Sequence, residues 1–98
     1  MNPVVSKQKF RELLAMNPSM PHYPLGEKEE KIPAAWLIEQ CGWKGRALGR
    51  AAVYDRQALV LVNRGDATGA DIVALCQAIQ HDVSRRFGID LIPEVNMI

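Results

Sequence analysis

The sequence predicts an α+β domain, a two-layer sandwich of helices on a small, mainly antiparallel sheet. Three observations lead there. The elements read in the order helix, helix, two strands, long helix, strand, without the strand–helix alternation that builds a parallel sheet. Ile72, Leu75, Cys76, Ile79, Val83 and Phe87 recur at helical spacing and give one long helix a single apolar stripe. Ala51–Tyr54 and Ala58–Val62 are short apolar runs parted only by a turn near Asp55-Arg56-Gln57, which suits antiparallel neighbours. Ninety-eight residues supply one such core, with little room for a large cofactor.

Each element has a local reason. Met1 to Val5 reads as extended, because Pro3 disfavours helix in the residue before it. Ser6 caps a helix running to about Met16, with Phe10, Leu13 and Leu14 on one face, and Asn17-Pro18 ends it. From Pro18 to Glu30 three prolines and Gly26 predict a loop with little regular structure, and the mixed charges of Glu27 to Lys31 predict a solvated tip. Pro33 suits the first turn of a short helix that runs to about Cys41 and stops at Gly42. Gly42 to Arg50 then places three glycines and three cations in nine residues. Ala58–Val62 is apolar at every position, so both of its faces should be covered. Thr68 with Asp71 forms a capping-box pattern ahead of the long helix, and Gly88 closes it. A last strand is expected over Ile89 to Ile98, with Pro93 marking an edge or a bulge.

Composition narrows the function. Twelve basic and eleven acidic side chains give a net charge of +1, not the basic field that nonspecific nucleic-acid binding requires. No apolar run reaches membrane-span length and no signal peptide opens the chain. Cys41 and Cys76 fall within apolar helical patterns with no CxxC motif, the pattern of buried free thiols in a reducing, cytosolic compartment. There is no phosphate loop, no HExxH and no nucleophile elbow. His22 and His81 read as surface histidines.

Four features carry chemistry, each with a plainer alternative. Tyr23, between Pro21 and Pro24, is either a ligand contact or a loop aromatic packing on the domain. Lys44, Arg46 and Arg50 either meet a phosphate group or form a solvated basic loop. Gln57 is either a ligand contact or an ordinary polar turn residue. Glu94, in an apolar terminal strand, either points to solvent or handles protons in a site.

The same residues carry a resemblance. Asn2-Pro3-Val4-Val5-Ser6, Pro21-His22-Tyr23-Pro24, Gln57-Ala58-Leu59-Val60-Leu61-Val62-Asn63 and Pro93-Glu94-Val95 resemble successive blocks of the third domain of the UDP-N-acetylenolpyruvoylglucosamine reductase family. So does the long stretch Lys31-Ile32-Pro33-Ala34-Ala35-Trp36-Leu37-Ile38-Glu39-Gln40-Cys41-Gly42-Trp43-Lys44-Gly45. The resemblance implies a parent enzyme that passes electrons from NADPH through FAD to an enolpyruvyl group, making UDP-N-acetylmuramate for peptidoglycan in the bacterial cytoplasm. By the same resemblance Glu94 assists proton transfer, while Asn2, Tyr23, Lys44 and Gln57 contact the diphosphate and uridine of the substrate.

Departures qualify what carries over. The family's catalytic serine lies in a Gly-Ser-Phe-Phe-Lys-Asn-Pro stretch whose lysine position is occupied by Met1, and Arg50, Tyr54 and Asn96 replace a glycine, a histidine and an arginine. The expectation is therefore a single substrate-binding domain over residues 1–98 without the FAD-binding region, inactive alone and binding no cofactor. Its partners would be the UDP-sugar substrate and the missing FAD-binding domains. A stand-alone, non-catalytic interaction module of the same fold is the alternative reading. A third, a small complete enzyme built on Glu94 and His22, has no nucleophile or metal site to support it.

Overall fold

The computed structural model describes residues 2–92 and 96–97. Its α+β architecture is the one the sequence predicts, with the strands divided between two small sheets. The body measures 46 × 22 × 21 Å, and its short dimensions match one helix of roughly 10–12 Å diameter laid on a sheet.

The first sheet holds β1 (Val4–Ser6), β3 (Glu29–Lys31) and β2 (Tyr23–Leu25), in that order and antiparallel throughout. Its ladder extends through the Ile32 amide, which donates to the Pro3 carbonyl at 3.0 Å. The second sheet runs β4 (Ala47–Leu48), β5 (Ala51–Val53), β6 (Val60–Asn63) and β7 (Asn96–Met97); only the β6–β7 pair is parallel.

Helix α1 (Lys7–Met16) starts where the Ser6 hydroxyl accepts from the Lys9 amide. Helix α2 (Ala34–Gln40) begins after Pro33 and ends before Gly42, whose φ of +78° suits only glycine comfortably. Helix α3 (Gly69–Phe87) has both bonds of the Thr68–Asp71 capping box and stops at Gly88 in the left-handed conformation. It presents Leu75, Ile79, Val83 and Phe87 to the core, which they share with Ile32, Leu37, Val53 and Leu61.

Five expectations need correction. The proline-rich segment is not devoid of regular structure: it contains the β2–β3 hairpin, turned at Gly26 with φ +70°. The Glu27–Lys31 run is not wholly a solvated tip, because Glu30 alternates inward on β3 and is 1% exposed. The Ala51–Tyr54 strand stops at Val53, and the next starts at Val60, since the Val60 amide closes a turn on the Gln57 carbonyl at 3.1 Å. On β6 only Leu61 is buried, while Val60 and Val62 are half-buried. Ile89 to Ile92 is not strand: Ile89 and Leu91 are buried, and Gln80 of α3 donates to the Leu91 carbonyl at 2.8 Å. Pro93, Glu94 and Val95 lie outside the described residues.

Candidate functional site

Asn2 is placed by the β1 ladder. Because Pro3 pairs with Ile32, Asn2 arrives beside the start of α2, and its Oδ1 accepts from the Ala34 amide at 2.9 Å. This carboxamide therefore caps α2 across 32 residues of sequence. Among the described residues its Nδ2 has no hydrogen-bond partner. Asn2 also borders a cleft of about 570 Å³ between β1 and the segment after α3, lined in part by Lys9, Gly88, Asp90 and Ile92.

Tyr23 stands opposite Lys31 on β2, and Lys31 stands opposite Val4 on its other side. Directly paired residues share a face, so Val4, Lys31 and Tyr23 form a row across the sheet. That face is open: Tyr23 is 57% exposed and Val4 40%. Pro24, Glu30 and Val5 form the opposite row, towards α1.

Lys44 belongs to the turn after α2. The preceding residue, Trp43, anchors that turn. It is buried, its Nε1 donates to Asp82 Oδ2 of α3 at 2.7 Å, and the Arg46 guanidinium lies 4.2 Å over its ring. Lys44 Nζ reaches Glu39 Oε1 at 3.2 Å, both side chains more than a third exposed, so this pair stays in solvent and exchangeable.

Gln57 belongs to the β5–β6 turn, where its Oε1 accepts weakly from the Leu59 amide at 3.3 Å. The two turns touch. A Cβ on Gly45 would lie 3.3 Å from the Asp55 Cβ, so Gly45 permits this close approach, and its φ is +78°. Lys44 and Gln57 are thereby gathered at one end of the second sheet. Asn2 and Tyr23 sit on the first sheet, and Glu94 lies outside the described residues.

Of the other basic residues, Arg50 is exposed in the β4–β5 turn, its carbonyl accepting from the Arg64 amide at 2.8 Å. Cys41 and Cys76 are free, half-buried thiols whose pKa is pushed up, in each case chiefly by burial. Among the described residues no group of three potential metal ligands occurs, and no helix is long and apolar enough to cross a membrane.

Sequence reasoning missed Glu30. Its Oε2 accepts from Lys7 Nζ at 2.5 Å and its Oε1 lies 2.6 Å from His22 Nδ1, with the His22 ring 4.5 Å from that of Phe10. It also missed Lys31 beside Tyr23. No local signal marks either one, since Glu27 to Lys31 is charged at every position and shows no alternation.

Comparison with known proteins supplies the family. A sequence profile described as UDP-N-acetylenolpyruvoylglucosamine reductase, C-terminal domain, matches residues 2–98. The chain is 57% identical over its full length to a UDP-N-acetylenolpyruvoylglucosamine reductase of Bacteroides fragilis, and covers 30% of that protein. It is 59% identical over 93 residues to the reductase of that name from Burkholderia multivorans, covering 27% of it. The chain thus spans less than a third of the length of these relatives.

Proposed function

Since the chain belongs to the UDP-N-acetylenolpyruvoylglucosamine reductase family, through its C-terminal domain, we propose that it is the substrate-binding domain of such a reductase. Its ligand is then UDP-N-acetylglucosamine enolpyruvate. The observation that carries this reading is the meeting of the Lys44 and Gln57 turns, in a chain matched along its whole length. The Lys44 ammonium suits a diphosphate as a point charge, and its solvent-exposed partner Glu39 is cheaply displaced. The Gln57 amide offers donors to a sugar or base edge, as does Asn2 Nδ2. The open ring of Tyr23 gives an apolar face to cover one.

Glu94 is proposed as the acid that assists protonation of the carbon next to the enolpyruvyl carboxylate. FAD and NADPH would supply the reducing electrons in the intact enzyme. We assign no flavin contact to the described residues. The helix N-termini that could take a dinucleotide phosphate are already capped by Ser6, Asn2 and the Thr68–Asp71 pair. The glycine-rich turn leads into strand β4, not into a helix. Flavin contacts therefore fall to the length of the relatives that the chain does not match.

Nuclear magnetic resonance titration with UDP-N-acetylglucosamine and its enolpyruvyl ether tests the reading. Shifts should centre on Asn2, Tyr23, Lys44 and Gln57, and Lys44→Ala should weaken binding on the order of tenfold, the loss of one charge-assisted contact. In the chain joined to the rest of a reductase, Glu94→Gln should lower kcat on the order of a hundredfold. No shifts at millimolar ligand, or shifts confined to other residues, would remove the binding role; an unchanged kcat would remove Glu94.

A further inference from the structure

Among the described residues, Glu30 is the charged side chain that the fold withdraws from water, at 1% exposure, and the proposed function does not use it. Burial of a carboxylate is costly unless its oxygens are paired. An apolar residue at such an inward position is often as stable or more so. Stability alone therefore does not account for the acid, and its contacts show what it joins. Oε2 takes Lys7 from the first turn of α1, and Oε1 takes His22, the residue before β2. The His22 ring leans on Phe10 of the same helix. One carboxylate thus ties α1, β3 and the approach to β2.

The tie matters because β2 is weakly held by its backbone. It is a three-residue edge strand, and only Tyr23 and Leu25 can bond to β3, because the Ile32–Pro3 and Lys7–Lys28 bonds turn Glu30 towards β1 and leave Pro24 facing outward. Tyr23 follows His22 directly, and successive side chains of a strand point to opposite faces. Fixing His22 inward on the Glu30 face therefore fixes Tyr23 outward, on the face of Lys31 and Val4.

We propose that Glu30 is a positioning residue: it clamps His22 against α1, sets the register of β2 and so presents Tyr23 to a ligand. The ligand-binding role of Tyr23 rests on the function proposed above. The clamp does not.

Two variants of the chain test the clamp without ligand. Glu30→Gln keeps the shape but replaces one acceptor by an amide donor. With the Gln oxygen on Lys7, its NH₂ faces His22 Nδ1, which must then accept. The histidine proton should move from Nδ1 to Nε2, read from ring ¹⁵N shifts near pH 8, where imidazole is ordinarily neutral. Glu30→Ala should speed hydrogen exchange of the Tyr23, Leu25 and Lys31 amides on the order of tenfold, leaving α3 amides within about twofold. An unmoved His22 proton in the first variant, or unchanged β2 exchange in the second, overturns the proposal. Should Glu30→Ala fail to fold, the Gln variant still decides. A loosened β2 with unchanged affinity for UDP-N-acetylglucosamine upholds the clamp and strikes Tyr23 from the binding site.

Discussion

Trp43→Phe isolates the contact that holds the Lys44 turn to the rest of the domain. Trp43 is 2% exposed, and its Nε1 donates to Asp82 Oδ2 at 2.7 Å. A hydrogen bond to a charged acceptor contributes about 1.5–3 kcal/mol. Asp82 is half-buried, so water can replace the lost donor, and the low end, about 1.5 kcal/mol, applies. Shrinking indole to phenyl adds about 1–2 kcal/mol for the space left in the core. The sum is about 3 kcal/mol, which in a domain of this size lowers Tm by roughly 12–24 °C. Thermal unfolding followed by circular dichroism measures it. A double-mutant cycle with Asp82→Ala separates the bond from the packing, and its coupling should be about 1–2 kcal/mol. Coupling below about 0.5 kcal/mol would refute the argument, since the anchor would then be packing alone. The consequence for function is direct, because Lys44 follows Trp43 and shares its turn.

Two further outcomes are expected. The hydrogen bond from Lys7, opposed by burial and aided by His22, holds the Glu30 carboxyl below its ordinary value of 4.5. A carboxyl depressed in this way stabilises the fold fully above the unfolded value and loses that contribution as pH falls through the folded one. Tm should therefore drop more steeply below about pH 4.5 in the parent chain than in Glu30→Gln; parallel curves would contradict this. Gly88→Ala places a side chain at φ +65° with its Cβ only 2.5 Å from Lys9 Nζ, disturbing the bond that Lys9 makes to the Gly88 carbonyl. The left-handed conformation alone costs about 1–2 kcal/mol, or roughly 5–15 °C in Tm, and an unchanged Tm would show that the helix end relaxes without cost.

What the residues reveal without coordinates depends on the range of the interactions that decide them. Helix α3 is legible because Thr68, Asp71, Gly88 and the apolar stripe all act within the helix itself. Helices α1 and α2 are legible for the same reason, through Ser6, Pro33 and Gly42. The β2–β3 hairpin is not, because a charged run looks solvated until Lys7, 23 residues earlier, is known to meet Glu30. The division into two sheets and the parallel β6–β7 pair are likewise set by partners distant in sequence. For the candidate site, Lys44 and Gln57 stand out by residue type, but the approach of their turns depends on the contact of Gly45 with Asp55. Asn2 is legible as a polar residue and not as the cap of α2.

Under the proposed function, that cap constrains the kind of ligand the domain would recognise. Asn2 binds the first residue of α2, and Lys44 pairs with Glu39 in its last turn. A helix of seven residues is about 10 Å long, so these two contacts are held apart by a rigid spacer. Ala34 and Glu39 cannot approach each other without unwinding α2, whose Leu37 and Ile38 are buried in the core. A compact anion can engage the Lys44 end alone. A nucleotide sugar, with base, diphosphate and sugar strung in a line, has the extent to engage both. With the contacts proposed for Asn2 and Lys44, the spacing favours an extended ligand over inorganic phosphate. Under the same proposal α2 acts as the spacer between the two contacts, although none of its own side chains was proposed to touch the substrate.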